Sequence, residues 1–261
     1  MKADQAYWSD ATVVAASRAW VCIRLATYED AEEGELLFSF FRGRGALENT
    51  TIVLLGPDGR QRLSEAGRGP AWLLPGAARG PDATTSEAEV RRFAALLEEK
   101  ARAYRARPSP SALPLAIDVR RGLNVASCDG QPLVLVRASS AARQEALEKR
   151  LAALAWSEAF LGRVQYVRVR ERTELDVIDG APAGDGFVVV QPDRFGLEGT
   201  VLARAGAEAS AAALGRMLAD GLARFDRPAK EARRHIADGH RAGASWTSEI
   251  PVTDPQARPR R

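Results

Sequence analysis

The chain has 261 residues, of which 46% are hydrophobic and 27% charged, so global disorder is excluded and one large or two small domains can be built. The formal net charge is +3. The segment from Asp226 to Arg261 holds 8 basic and 5 acidic residues, which leaves 29 of each sign before it and excludes a broad basic nucleic-acid-binding face.

In chain order, Asp10 is a good helix N-cap, with Val13, Val14 and Ser17 next on one face. Trp20 to Ala26 reads as a strand. Glu29 to Phe41 reads as a helix with an acidic first turn and Leu36, Leu37, Phe40 and Phe41 at helical spacing. Thr51 to Leu55, the turn Gly56-Pro57-Asp58-Gly59 and Arg60 to Leu63 read as a β-hairpin. Ser86 and Glu89 form a capping box that opens a helix with Val90, Phe93, Leu97, Ala101 and Tyr104 on one stripe. Pro108, Pro110 and Pro114 end it and mark a linker over 108–130, with a strand-like run at 113–119.

The second half opens on Pro132 to Arg137, an apolar run typical of a strand buried on both faces. A helix is predicted over Ala141 to Ala155 and a strand over Gln165 to Val169. A single helical turn comes next at Leu175 to Ile178. Phe187 to Val190 and Thr200 to Ala203 flank the turn Pro192 to Gly196, and a helix runs from about Glu208 to Phe225. The tail, 226–261, begins with a short basic helix over Lys230 to His240 and ends in an extended stretch containing Trp246, Ile250 and Val252.

The halves share an order of landmarks, which suggests tandem duplication. Trp8-Ser9-Asp10 precedes one strand and Trp156-Ser157-Glu158 another. Each half then has a hairpin whose turn contains Pro-Asp (Pro57-Asp58, Pro192-Asp193) and a long amphipathic helix. The expected class is α/β with a mixed sheet. This order resembles the thioredoxin-like fold: strand, helix, strand, helix, hairpin, helix. Pro132 to Phe225 covers the whole pattern. Ser9-Asp10-Ala11-Thr12-Val13 leading into Trp20–Leu25 resembles the segment after the family's Cys-x-x-Cys. The resemblance implies two tandem thioredoxin-like domains, 1–107 and 131–225, the first lacking its N-terminal strand. The run at 113–119 is the expected filler of that first sheet.

The chain departs from the family pattern at its chemistry. The only cysteines are Cys22 and Cys128, and they do not form a Cys-x-x-Cys. At the strand-to-helix corner of the second half stands Arg137-Ala138-Ser139-Ser140-Ala141. Where the family has a proline before the hairpin, Glu48-Asn49-Thr50 and Gly184-Asp185-Gly186 stand instead. A dithiol reductase needs one thiolate to attack and a second thiol to resolve.

Cys22 reads as a small hydrophobe buried mid-strand. Cys128 lies in turn-like sequence and is the more accessible thiol. His235 and His240 are five apart, about 140° around a helix, which is poor for a shared metal. No apolar run nears the ~20 residues of a membrane span, and no secretory signal opens the sequence, so a cytoplasmic setting is expected.

The expected function is a non-catalytic binding or accessory protein that contacts another protein, without cofactor, metal or membrane, and with nucleic acid disfavoured. The candidate surface is Arg44, Asn49, Arg68 and Trp72, with Trp246 in the tail as a second contact; guanidinium groups beside glycine suit anion capture, and Trp with Arg suits protein contact. The alternative is a single-thiol or glutathione-linked oxidoreductase acting through Cys128.

Overall fold

The structure, a computed structural model, describes residues 6–23, 25, 31–40, 51–77, 84–104, 112–227 and 231–245. The chain divides into two compact units, Met1–Pro108 with Trp246–Arg261, and Ser109–Ser245.

In the first unit, α1 (Ala11–Ser17) starts at Asp10, whose carboxylate accepts from the amides of Thr12 (2.8 Å) and Val13 (3.3 Å). Helix α2 spans Ala31–Ser39 and buries Leu37. Helix α3 (Glu87–Arg102) begins at the expected capping box: the Glu89 amide donates to Ser86 Oγ (3.2 Å), and the Ser86 amide donates to Glu89 Oε2 (2.9 Å). Its stripe Val90, Phe93, Ala94 and Leu97 packs with Tyr7, Val13, Leu54, Leu73 and Leu74. Phe93 is fully buried, and the rings of Tyr7 and Trp8 meet it edge-on.

Two strand expectations fail here. The composition of Trp20 to Ala26 predicts a strand, but its described residues form no ladder, and Val21 and Ile23 are 76% and 75% exposed. The hairpin over 51–63 keeps its turn, where the amides of Arg60 and Gln61 donate to Asp58 Oδ1 (2.9 Å each). Its arms meet only at the isolated bridges Leu55↔Arg62 and Ile52↔Gly67. The described residues of this unit therefore build no sheet.

The second unit is α/β around a six-stranded mixed sheet. Its elements are β1 (Leu115–Ala116), α4 (Val119–Asp129), β2 (Leu133–Arg137), α5 (Ala141–Ala155), β3 (Gln165–Arg168), β4 (Ile178–Asp179), β5 (Gly186–Pro192), β6 (Gly199–Gly206), α6 (Ala211–Arg224) and α7 (Ala232–Arg241). The strand order is β1-β3-β2-β5-β6-β4. Strands β1, β3 and β2 are parallel, β5 is antiparallel to β2 and β6 to β5, and β4 is parallel to β6. Period-two alternation buries both faces of the centre. Val134, Val136, Phe187 and Val189 face Leu147, Leu151, Leu214 and Leu218 of α5 and α6. Leu133, Leu135, Val188 and Val190 face Val119, Leu123 and Ala126 of α4. Burial on both sides explains why β2 reads as a continuous apolar run.

The segment 113–119 does not fill the first sheet. Leu115 and Ala116 pair with Tyr166 and Val167 of β3 in the second unit. Nor is 108–130 a plain linker: Asp118 caps α4 through the Arg121 amide (2.7 Å), and Gly130 closes it in the left-handed conformation. The single helical turn expected at Leu175 to Ile178 lies earlier, as a 3-10 turn over Arg172–Leu175. The tail's basic helix is present as α7 and belongs to the second unit, which extends past 225 to Ser245.

Candidate functional site

A polar cluster lies at the corner between β2 and α5. It is assembled locally. Strand β2 ends at Arg137, Ser140 N-caps α5 through the Arg143 amide (3.4 Å), and the loop before β5 brings Ala183, Gly184 and Asp185 against them. Ser139 Oγ donates to Asp185 Oδ2 at 2.8 Å. The Arg143 Nε lies 3.3 Å from the same oxygen, and its Nη2 donates to Glu208 Oε1 at 2.5 Å. Arg137 Nη1 donates to the carbonyls of Ala183 and, at 3.1 Å, Gly184. Behind the corner, buried Gln144 donates to the Val136 carbonyl (3.1 Å) and to Glu148 Oε1 (2.8 Å).

Asp185 is the electrostatic centre. The Ser139 hydroxyl and amide hold its carboxyl below the ordinary carboxylate range, helped by the Arg143 and Arg137 guanidinium groups. The loop can come this close because of Gly186. Its φ is +147°, and a Cβ there would sit 2.4 Å from the Ala205 carbonyl oxygen. Chemically the corner is a closed set of charge-assisted bonds. Its serine donates to a carboxylate whose lowered pKa makes it a weak base. The two histidines lie on α7, where His235 stacks on Phe195 at 5.3 Å and Asp238 pairs with Arg194 at 2.6 Å. His235 is thus half-buried against the β5–β6 turn rather than solvated.

The cysteines do not converge on this corner. Cys128 is exposed in the last turn of α4, not in a turn. Chain order puts it before β2 begins, whereas the corner lies where β2 ends, one five-residue strand or about 16 Å away. Cys22 is exposed in the first unit, against the expectation of burial. Even so, the chain around its sulfur removes enough water to raise the thiol above its ordinary value, leaving less thiolate.

Of the expected surface, Arg44, Asn49 and Trp246 lie outside the described residues. Arg68 is exposed. Trp72, in the 3-10 turn Pro70–Leu73, packs against the first unit's core, and a Cβ at Gly67 would fall 2.0 Å from its Cβ. Gly67 is therefore explained by packing against Trp72 as well as by loop flexibility. Among the described residues no group of three or more His, Cys, Asp or Glu side chains is placed to hold a metal ion. No helix among them is long and apolar enough to cross a membrane.

Sequence reasoning does not single out Ser139, Arg143 and Asp185 as a site. The Gly184-Asp185-Gly186 triplet is the available signal, since an acid between two glycines marks a loop that approaches other backbone closely. Compared with protein-family models, with curated proteins and with solved structures, the chain matches none.

Proposed function

We propose that the second unit is a divergent thioredoxin-like domain and that the protein acts by binding another protein rather than by dithiol chemistry. The strand order β3-β2-β5-β6 supports the first part, with α5 joining the parallel pair and α6 coming after the hairpin. One observation carries the second part. Where that family places its dithiol, Ser139 is committed to the Asp185 carboxylate, and Arg143 and Arg137 neutralise the charge. These polar groups are held by one another, and exposed Ser139, Arg143 and Glu208 offer contacts to a partner surface. Arg44, Asn49, Arg68 and Trp72 remain a proposed contact surface, with Trp246 in the tail as a second contact.

The test compares the parent with a thiol-free chain carrying Cys22→Ser and Cys128→Ser. Reduction of a mixed disulfide of glutathione is expected to stay at the uncatalysed rate for both. Proteins recovered with the tagged chain from its native host are expected to be the same for both, and to be lost on charge reversal of Arg44 and Arg68. Turnover that disappears with Cys128 would overturn the binding reading in favour of a thiol enzyme.

A further inference from the structure

We infer that two copies of the chain associate through helix faces: the outer face of α2 in the first unit of one copy receives the outer face of α7 in the second unit of the other, and reciprocally. Both helices are fixed from behind. Helix α2 buries Leu37, which clusters with Phe40 and Ala66. Arg62 donates to the Ser39 carbonyl at 2.7 Å and lies 5.1 Å from the centre of the Phe40 ring. Helix α7 lies against the β5–β6 turn through His235 on Phe195 and Asp238 on Arg194. Gly239 adds to this contact, since a Cβ there would stand 3.4 Å from the Phe195 ring. Each helix therefore presents its other face at a fixed place on its own unit.

The two outer faces are opposite in charge and alike in carrying an exposed apolar side chain. At about 100° per residue, Glu32, Glu35 and Phe38 fall within about 120° of one another on α2, away from Leu37, and all three are exposed. On α7, exposed Arg233, Ile236, Ala237 and His240 fall within about 100°, bordered by Arg234 and Arg241. Ile236 is 56% and Phe38 50% exposed, more than any other large hydrophobic residue among the described ones except Val21 and Ile23. The side chains of Glu32, Glu35, Arg233 and Arg234 form no ion pair among the described residues. The acid of α7 at position 238 points the other way, where it holds Arg194 and Arg241. An acidic face bearing a phenylalanine and a basic face bearing an isoleucine complement each other: the apolar groups supply contact and the charges select the partner. Both faces belong to one sequence, so a second copy supplies the complement of each. A reciprocal exchange then closes as a dimer with two equivalent contacts.

The experiment uses the full chain and sedimentation equilibrium. The parent is expected at twice the mass of the chain, and added salt is expected to loosen the dimer. Two variants set like charges across both contacts: Glu32→Arg with Glu35→Arg, and separately Arg233→Glu with Arg234→Glu. Each is expected to weaken the dimer at least about tenfold. The acidic substitutions fall in the first turn of α7, where the helix dipole favours them. Mixing the two variants in equal amounts then tests the pairing itself. In the mixed dimer one contact is wholly native and the other has both charges exchanged, so dimerisation is expected to return near the parent's strength. A parent that sediments as a single chain overturns the proposal. So does a dimer that both variants keep, or one that mixing does not restore. Assemblies that grow beyond two chains with concentration overturn the reciprocal exchange.

Discussion

Asp185 keeps its charge because three neighbours need it there, and that dependence can be titrated. Its folded-state pKa is depressed, so its contribution to stability is complete above the unfolded carboxylate value and is lost as pH falls through the folded one. Asp185→Asn is therefore expected to lower the urea midpoint at pH 7, and the gap to the parent should close as pH drops below about 4. A gap that does not narrow at all as the pH falls would mean the residue acts by packing alone. Gly186 makes the companion case. A methyl group at φ +147° and 2.4 Å from the Ala205 oxygen cannot be absorbed by a side chain, since the obstacle is backbone. Gly186→Ala should cost at least about 2 kcal/mol by denaturant unfolding. Neither residue stands out in the sequence by type. Their roles come from contacts between distant positions, 139 with 185 and 186 with 205, which no local pattern encodes.

The elements with local signals were legible. Helix α3 begins where Ser86 and Glu89 place it, and α5 spans the predicted Ala141 to Ala155 because Ser140 caps it and Leu147 and Leu151 fix its face. Ser86→Ala is expected to cost about 1 kcal/mol, read as a lower melting temperature. Strands β2 and β5 were legible because burial on both faces leaves an unbroken apolar run. Helix α4 was missed since Gly122, Asn124, Ser127 and Gly130 look like turn residues. Gly122 is small because a Cβ there would press on Leu133 and Val167, and the Asp118 cap and Gly130 stop were the overlooked signals. The run Trp20–Ala26 shows the limit in the other direction: it has strand propensity, but pairing depends on another segment, and its described residues join no ladder. Beyond Gly199 and Thr200, which pair with β4, the open part of β6 is guarded instead. Pairing passes from Val189↔Ala203 to Val190↔Val201, so Leu202 bulges, and Arg224 donates to its carbonyl at 3.0 Å. Such a bulge and a capped carbonyl discourage edge-to-edge pairing.

At the scale of the whole molecule, each unit has its own apolar core, one built around Phe93 and the other around the two faces of the central sheet. Phe93→Ala is expected to remove about 3–5 kcal/mol from the first unit. Amide exchange in α3 should then accelerate while that of β5 stays near its parent rate; equal acceleration in both would show a single cooperative structure. The excess positive charge is confined to the segment after residue 225, and the residues before it carry equal numbers of basic and acidic groups. Finally, the chain carries one exposed thiol in each unit, Cys22 and Cys128, and no others. Because the raised Cys22 thiol should react more slowly, a maleimide dye added in limiting amount will enrich at Cys128 and a second dye will fill Cys22. The native sequence is thus already equipped as a donor–acceptor ruler, and energy transfer between the two dyes would measure the spacing of the units in solution, with and without a partner, before any residue is changed.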